Sequence, residues 1–288
     1  MRRLTLLGIP NDDNSSYLKG SAEAPALIRR ELHSDAYSIW SETGVDLGVP
    51  GRLVDRGDID FAGDGDPWNA IEREVGRALA SGDPLICLGG DHAITHPIVR
   101  AVRRRHSRLT IVHVDAHADI YHAYQGNQRS HASPFARIME EGLADRLIQV
   151  GLRTINDEHR AQFDRFGVEV VTAAEWGAQL RLRIDTPIYL SIDMDGIDPA
   201  HAPGVSHREP GGPSLRQVID LIQNLTQPIV AADIVEYNPS RDIADLTAVA
   251  AAKLVKEVGG KMLGGDRLGA SRLGTSRLDE KSLATAPD

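Results

Sequence analysis

The sequence predicts an α/β fold, a three-layer α/β/α sandwich around a mostly parallel sheet. Short apolar runs, among them residues 4–9, 85–88 and 109–114, alternate with segments of helical periodicity. Strands that are apolar throughout, rather than at every second residue, are typical of parallel sheets covered by helices on both faces. The alternation of strands and helices also indicates right-handed βαβ connections.

The individual elements follow from these runs in chain order. Strands are expected at residues 4–9, 85–88, 109–114, 147–151, 168–171, 187–192 and 228–234. Helices are expected at residues 24–32, 68–80, 98–106, 134–141, 157–166, 214–225 and 242–258. Gly259 and Gly260 are expected to end the last helix, because glycine commonly follows a helix C-terminus.

The chain is predicted to form one domain over residues 1–263, followed by an extension over residues 264–288. Its 288 residues, 41% of them hydrophobic, suffice for one large α/β domain, and no linker-like stretch divides the first part. The extension carries a five-residue repeat with few apolar residues and no helical or strand period. Such a pattern is typical of a flexible or oligomer-facing segment.

Composition excludes several classes of function. The formal net charge of -9 and the lack of a Lys/Arg stripe argue against a nucleic-acid partner. The single cysteine, Cys87, permits no intrachain disulfide or zinc–thiolate site, and its apolar surroundings predict a buried thiol. No apolar run reaches membrane-spanning length and none resembles a signal peptide, so we expect a cytoplasmic protein without a membrane partner.

Polar residues stand where four of the predicted strands end. They are Asp91 and His92 after the first of these strands, Asp115, His117 and Asp119 after the second, Asp193 and Asp195 after the third, and Asp233 and Glu236 at the fourth. In open parallel sheets, ligands bind beyond the carboxyl ends of the strands. Four strands therefore direct these groups into one crevice.

The spacing of these groups predicts a metal site. Residues at i, i+2 and i+4 of an extended chain share one face, and burying several carboxylates without cations costs several kcal/mol each. The predicted ligands are His92, Asp115, His117, Asp119, Asp193 and Asp195. Four carboxylates balance two divalent ions, and this set suits Mn²⁺ better than a structural zinc site, while other divalent ions remain an alternative. Any one of these residues alone would more often be a turn or N-cap residue.

Three segments together resemble the metal signatures of the arginase/agmatinase, or ureohydrolase, family. They are Gly-Gly-Asp-His at 89–92, Asp-Ala-His-Ala-Asp at 115–119 and Ser-Ile-Asp-Met-Asp-Gly-Ile-Asp-Pro at 191–199. The resemblance extends from about Leu4 to about Val258. It implies the three-layer fold, a homo-oligomer (trimer or hexamer), and hydrolysis of a small cationic guanidino substrate to urea and an amine.

The resemblance also implies roles for individual residues. One Mn²⁺ would be held by His92, Asp115, Asp119 and Asp193, and a second by His117, Asp115, Asp193 and Asp195. Two such ions lower the pKa of a shared water, which then acts as the nucleophile. Glu236 matches the glutamate that binds the guanidinium, and His131 matches a loop histidine that contacts substrate or shuttles protons. Asp119 is the nearer candidate to protonate the leaving amine. His113 shares the strand face of Asp115, either as its partner or as a core histidine.

The substrate is predicted less sharply, and the chain looks closer to the agmatinase side of the family. Tyr121 and the run Ser-His-Ala-Ser-Pro-Phe at 130–135 favour agmatine, although Ala132 stands where glycine is usual. Asn156 stands where arginases tend to have an aspartate for the α-ammonium. Arginase, formimidoylglutamate hydrolase and a hydrolase of another guanidino acid or of guanidine itself remain alternatives. More remote are a single-zinc deacetylase on the related fold and a non-enzymatic metal-binding subunit.

Overall fold

The computed structural model describes residues 2–63, 65–177 and 180–264. Within these residues, eight strands form one sheet: β1 (Leu4–Ile9), β2 (Leu53–Asp58), β3 (Leu85–Gly89), β4 (Thr110–Val114), β5 (Arg146–Leu152), β6 (Glu169–Thr172), β7 (Ile188–Asp193) and β8 (Ile229–Val235). Their order is β2-β1-β3-β8-β7-β4-β5-β6, and every neighbouring pair is parallel. The four strands with polar ends, β3, β8, β7 and β4, are therefore adjacent in the middle of the sheet.

Helices cover both faces of this sheet, which confirms the predicted three-layer fold. They are α1 (Ala24–Leu32), α2 (Pro67–Ala78), α3 (Thr95–Arg103), α4 (Pro134–Glu140), α5 (Asp157–Phe166), α6 (Leu215–Asn224) and α7 (Leu246–Met262). Helices α1, α6 and α7 pack with Leu6 and Leu88 on one face, and α2, α3 and α4 pack with Leu7 and Cys87 on the other. Each fully buried leucine contributes roughly 1.5–3 kcal/mol, so both faces of the strands hold the register.

Strand β2 was not predicted from the sequence. It pairs with β1 at the edge of the sheet, and its Asp55, Arg56 and Asp58 are exposed. Arg29 of α1 forms ion pairs with Asp55 and Asp58. Charged residues on an edge strand discourage pairing with another chain, and here they also hide the apolar pattern that marks the central strands.

Helix α3 begins and ends three residues earlier than predicted, at Thr95 and Arg103 instead of 98 and 106. Pro97 lies in its first turn. Proline is tolerated there because the first N–H groups of a helix have no intrahelical acceptor. The predicted bounds of this helix were therefore wrong at both ends.

Helix α7 begins at Leu246, four residues later than predicted. Ala244 and Asp245 have positive φ angles of 49° and 58°, which interrupt a right-handed helix. Asp242 accepts hydrogen bonds from the backbone N–H groups of Thr247 (3.0 Å) and Ala248 (3.1 Å), so its carboxylate stabilises the helix start from outside.

The same helix continues through Gly259 and Gly260 to Met262, so the predicted stop at these glycines was wrong. A Cβ atom at Gly259 would lie 2.6 Å from Leu4, and one at Gly260 would lie 2.4 Å from Ser41 Oγ. The two glycines therefore allow close packing of the helix against its neighbours.

Three remaining expectations concern burial and the ends of the chain. Cys87 is buried, as predicted. In the described part of the chain, no helix combines the length and the apolar character needed to cross a membrane. Apart from Gly264, the predicted extension at 264–288 lies outside the described residues.

Candidate metal centre and active site

Four predicted ligands from β3, β4 and β7 meet at the carboxyl edge of the sheet. We call His92, Asp115, Asp119 and Asp193 the inner cluster. His92 Nδ1 lies 3.3 Å from Asp115 Oδ2 and 3.1 Å from one oxygen each of Asp119 and Asp193. All four side chains are buried. One nitrogen and three carboxylate oxygens thus surround a space that could hold a metal ion.

A second group shares Asp115 with the first. We call Asp115, His117 and Asp195 the outer cluster. His117 Nδ1 lies 3.5 Å from Asp115 Oδ1 and 3.2 Å from Asp195 Oδ2. Asp193, which the family resemblance assigns to both ions, lies in the inner cluster, and its Oδ1 accepts a hydrogen bond from the Asp195 N–H at 2.7 Å. Its bridging role remains a prediction.

The acidic residues of both clusters fit divalent cations. Burial and the carboxylates of Asp195 and Asp115 raise the pKa of Asp193 well above its ordinary value. Burial raises the pKa of Asp195 to about 7, although His117 opposes this shift. Asp195 Oδ1 is buried and has no hydrogen-bond partner among the described residues. Carboxylates this crowded need positive charge to ionise together, and two divalent ions would supply it.

A buried hydrogen-bond chain determines which nitrogen of His92 faces the inner cluster. Ser191 Oγ donates to Asp233 Oδ1 at 2.7 Å, so its oxygen accepts from His92 Nε2 at 2.9 Å. Asp233 Oδ2 also accepts from the hydroxyls of Thr95 (2.7 Å) and Tyr189. With its Nε2 proton held by Ser191, His92 directs Nδ1 at the carboxylates. Asp233, grouped with the strand-end ligands by sequence, instead orients His92.

When no cation is bound, the carboxylates of the inner cluster favour the protonated form of His92. Burial lowers the pKa of His92, but hydrogen bonds to Asp115, Asp119 and Asp193 raise it well above its ordinary value. The same carboxylate oxygens would bind a metal ion in place of this proton. Metal binding at the inner cluster is therefore expected to release protons.

His113 contacts Asp115, which decides between its two predicted roles. Gln149 Nε2 donates to Ala118 O at 2.6 Å and lies 3.0 Å from His113 Nδ1. With Nδ1 accepting, His113 Nε2–H donates to Asp115 Oδ2 at 2.7 Å. Gln149 was not predicted from the sequence as part of the site. In the sequence, Gln149 is the lone polar residue in the apolar run that forms β5. In the structure it is in register with His113 on β4.

Glu236 and His131, the two predicted substrate-binding residues, contact each other beside the inner cluster. Glu236 Oε1 lies 2.9 Å from His131 Nδ1 and accepts a hydrogen bond from the His92 N–H at 2.9 Å. Burial lowers the pKa of His131, but Glu236 raises it to about 9. Glu236 and Asp119 have positive φ angles of 63° and 45°. Backbone strain of this kind clusters at functional sites.

The loop after β1 forms one wall of the site, which was not predicted from the sequence. Asp91 Oδ2 accepts a hydrogen bond from the Asn14 N–H at 2.8 Å, and Asn14 O accepts one from the His131 N–H at 3.2 Å. Ser16 Oγ lies 2.8 Å from His131 Nε2. The sequence does show a polar run after β1. Because β1 lies beside β3 in the sheet, this run lies near the strand end that carries His92.

A cavity of about 400 Å³ opens beside both clusters. Its lining includes His117, Asp119, His131, Asp195, His207 and Glu236. The ring of His207 stacks on that of His131, with centroids 5.6 Å apart. Among the described residues that line the cavity there is no lysine or arginine. The space is therefore suited to a small cationic ligand.

Comparison with known proteins identifies the family. Residues 2–260 match the model of the Arginase family. The chain belongs to the arginase family. It is 44% identical over 275 residues to "Arginase 1, mitochondrial" of Arabidopsis thaliana. That match covers 90% of this chain and 80% of the Arabidopsis protein. It is also 33% identical over 262 residues to N(1)-aminopropylagmatine ureohydrolase of Thermus thermophilus. That match covers 85% of this chain and 86% of the Thermus protein.

A solved structure agrees with this assignment. The arginase from Medicago truncatula matches with a TM-score of 0.85 and 42% identity, over 91% of this chain and 87% of that chain. The family resemblance and the prediction of a hydrolase acting on C–N bonds are thereby confirmed. Members of the arginase family use a binuclear metal site, and the inner and outer clusters are compatible with one. The deacetylase and non-enzymatic alternatives find no support.

Proposed function

We propose that this arginase-family protein uses two Mn²⁺ ions to hydrolyse a guanidino compound to urea and an amine. The observation that carries the proposal is the position of Glu236. Its carboxylate is buried at the cavity wall, tied to His92 of the inner cluster by a 2.9 Å hydrogen bond. A carboxylate pairs with a planar guanidinium through two hydrogen bonds and would place the central carbon beside the metal clusters.

The clusters supply the proposed ligands. The inner cluster would hold one ion, and the outer cluster, with Asp193 as the family resemblance implies, would hold the other. When bound, two such ions polarise the substrate and lower the pKa of a water so that hydroxide is available at neutral pH.

The remaining steps belong to side chains of the protein. His131 donates from Nδ1 to Glu236, which orients the carboxylate for the guanidinium, while Ser16 contacts its Nε2. Asp119 lies in the inner cluster and also lines the cavity. We assign to Asp119 the proton transfer to the leaving amine, because a general acid must reach both the reacting water and the departing nitrogen.

Two substrates are candidates, each supported by a different observation. L-Arginine is favoured by the 44% identity to a plant arginase. Agmatine is favoured by the lack of lysine and arginine among the described residues of the cavity wall, since neither side chain is there to pair with a carboxylate. Asn156 supports agmatine too, because it caps α5 and donates to Tyr121 OH (2.6 Å) without offering a negative charge.

The test is urea release by the manganese-loaded protein from L-arginine, agmatine, 4-guanidinobutyrate and guanidine in parallel. Turnover of one compound supports the reaction and selects the substrate. The Glu236→Gln variant should keep its metal ions and lose on the order of a hundredfold in kcat/KM, because the charged hydrogen bonds to the guanidinium are lost. No urea from any compound, with two ions bound and formamide released from formimidoylglutamate, would replace the proposal with the formimino reaction.

Three finer expectations stay predictions. Metal analysis of the purified protein tests manganese as the native ion. Sedimentation measures whether the protein is a trimer or a hexamer. Cell fractionation tests the expected cytoplasmic location.

A further inference from the structure

Glu209 is an acidic residue of the cavity wall that the proposed reaction does not use. Apart from the cluster residues and Glu236, it is the one carboxylate among the described residues that line the cavity. The one basic side chain recorded within 4 Å of its carboxylate among the described residues is His117, whose Nε2 lies 3.7 Å from Oε1, and no described lysine or arginine pairs with it. Its side chain is 38% exposed, so an incoming ligand can reach it.

The loop that carries Glu209 is held in place from both sides. Arg153 Nε donates to Glu209 O at 2.8 Å, and its Nη2 donates to Asp195 O at 2.8 Å. Asp198 Oδ2 accepts the N–H groups of Gly211 (2.7 Å) and Gly212 (3.0 Å), which closes the loop. The backbone of Glu209 is thus fixed relative to the outer cluster.

Two acidic residues of the cavity wall that belong to neither cluster, Glu236 and Glu209, differ in their exposure. The guanidinium partner, Glu236, lies deep and is 4% exposed, whereas Glu209 is partly exposed. Asn156, which also lines the cavity, is neutral and offers no charge to a cation. A ligand with its guanidinium on Glu236 leaves Glu209 as the carboxylate available to a second cation.

We propose that Glu209 binds the ammonium group at the end of the substrate distal to the guanidinium, and that the site thereby selects guanidines carrying such a group. The inference rests on the proposed function and narrows its substrate class. Both L-arginine and agmatine carry a distal ammonium. 4-Guanidinobutyrate carries a carboxylate in its place, which Glu209 would repel.

A second role for Glu209 must be distinguished from this one. A carboxylate near the outer nitrogen of a metal-binding histidine commonly orients that ring, and Glu209 lies near His117 Nε2. Replacement by glutamine separates the two roles. The amide oxygen of Glu209→Gln can still accept from His117, but the negative charge that attracts an ammonium is gone.

The experiment compares agmatine with butylguanidine, which differs only in lacking the distal ammonium. Binding constants from calorimetry and kcat/KM from urea release are measured on the manganese-loaded full chain. The Glu209→Gln variant is compared with the wild type and with Glu158→Gln, which removes an exposed charge that does not line the cavity. We expect the preference for agmatine over butylguanidine to fall roughly twofold to fivefold in Glu209→Gln alone.

Each outcome decides the assignment. An unchanged preference, or an equal fall in Glu158→Gln, would overturn it. So would a loss of bound manganese in Glu209→Gln with both ligands weakened equally, because that result assigns Glu209 to His117. Should the wild type bind both ligands without releasing urea, the proposed hydrolysis fails while the binding preference still decides the role of Glu209.

Discussion

The inner and outer clusters share Asp115 but differ in how firmly their histidines are held. His92 of the inner cluster is fully buried, and Ser191 holds its outer nitrogen at 2.9 Å. His117 of the outer cluster has a side chain that is 26% exposed, and the nearest carboxylate to its outer nitrogen is 3.7 Å away, beyond hydrogen-bond distance. The outer cluster also contains Asp195 Oδ1, which has no hydrogen-bond partner in the part of the chain that the structure describes.

This difference indicates an order of metal binding. A site whose ligands are already oriented loses less conformational freedom when the ion binds. We therefore expect the inner cluster to bind its ion more tightly, and the outer cluster to complete its geometry when the second ion enters. The more exposed outer cluster also faces the cavity through His117 and Asp195.

The largest effect is expected from Asp115→Asn, which removes the one residue common to both clusters. An amide lacks the negative charge that both ions require, so bound metal should fall well below two ions per chain. Urea release should fall on the order of a thousandfold. Metal analysis and steady-state kinetics measure the two effects. Two ions retained at normal affinity would show that the clusters do not depend on this carboxylate.

A smaller effect confined to the inner cluster is expected from Asp233→Asn. An amide can donate to Ser191, which would turn the Ser191 hydroxyl toward His92 Nε2 and leave the ring proton on Nδ1, facing the carboxylates. Metal affinity of the inner site should fall about 10–100-fold, while the outer site keeps its affinity. Calorimetric titration with Mn²⁺ separates the two sites, and equal weakening of both would contradict the proposed role of the Ser191–Asp233 chain.

Removing the ions should lower thermal stability, and the loss should depend on pH. At an ion concentration of 100 times its dissociation constant, binding contributes about 2.7 kcal/mol, or roughly 5–10 °C in Tm for a domain of this size. Without ions, the folded-state pKa of Asp195 is about 7, above the ordinary 3.8. Its contribution to stability is therefore present below pH 3.8 and is lost as pH rises toward 7.

The gap in Tm between loaded and metal-free protein should therefore widen from pH 5.5 to pH 7.5, since ligand deprotonation favours the metal. Thermal scans with and without a chelator measure this gap. A gap that narrows with rising pH would show that carboxylate crowding does not control the metal-free state.

The sequence predicted those features that depend on position along a strand. Asp115, His117 and Asp119 directly follow β4, which predicted their place at the carboxyl edge of the sheet, although the positive φ angle of Asp119 (45°) shows that the chain is not extended there. The inner and outer clusters brought together all six predicted ligands because β3, β8, β7 and β4 are neighbours in the sheet.

Features that depend on register between distant segments were not predictable in this way. Asp233 belongs to the same strand-end pattern as Glu236, yet it hydrogen-bonds Ser191 on the neighbouring strand β7. Gln149 contacts His113 on the neighbouring strand and Glu209 lines the cavity from a loop, so neither position follows from spacing along a single strand. Strand β2 was missed because its charges mask the apolar pattern on which strand prediction depends.

The most direct test of the two-cluster account is a stepwise titration of metal-free protein with Mn²⁺, following bound metal and urea release together. The account predicts two ions per chain, the first bound more tightly, with urea release rising mainly as the second enters. Full activity with a single ion per chain, or a single binding site, would contradict it.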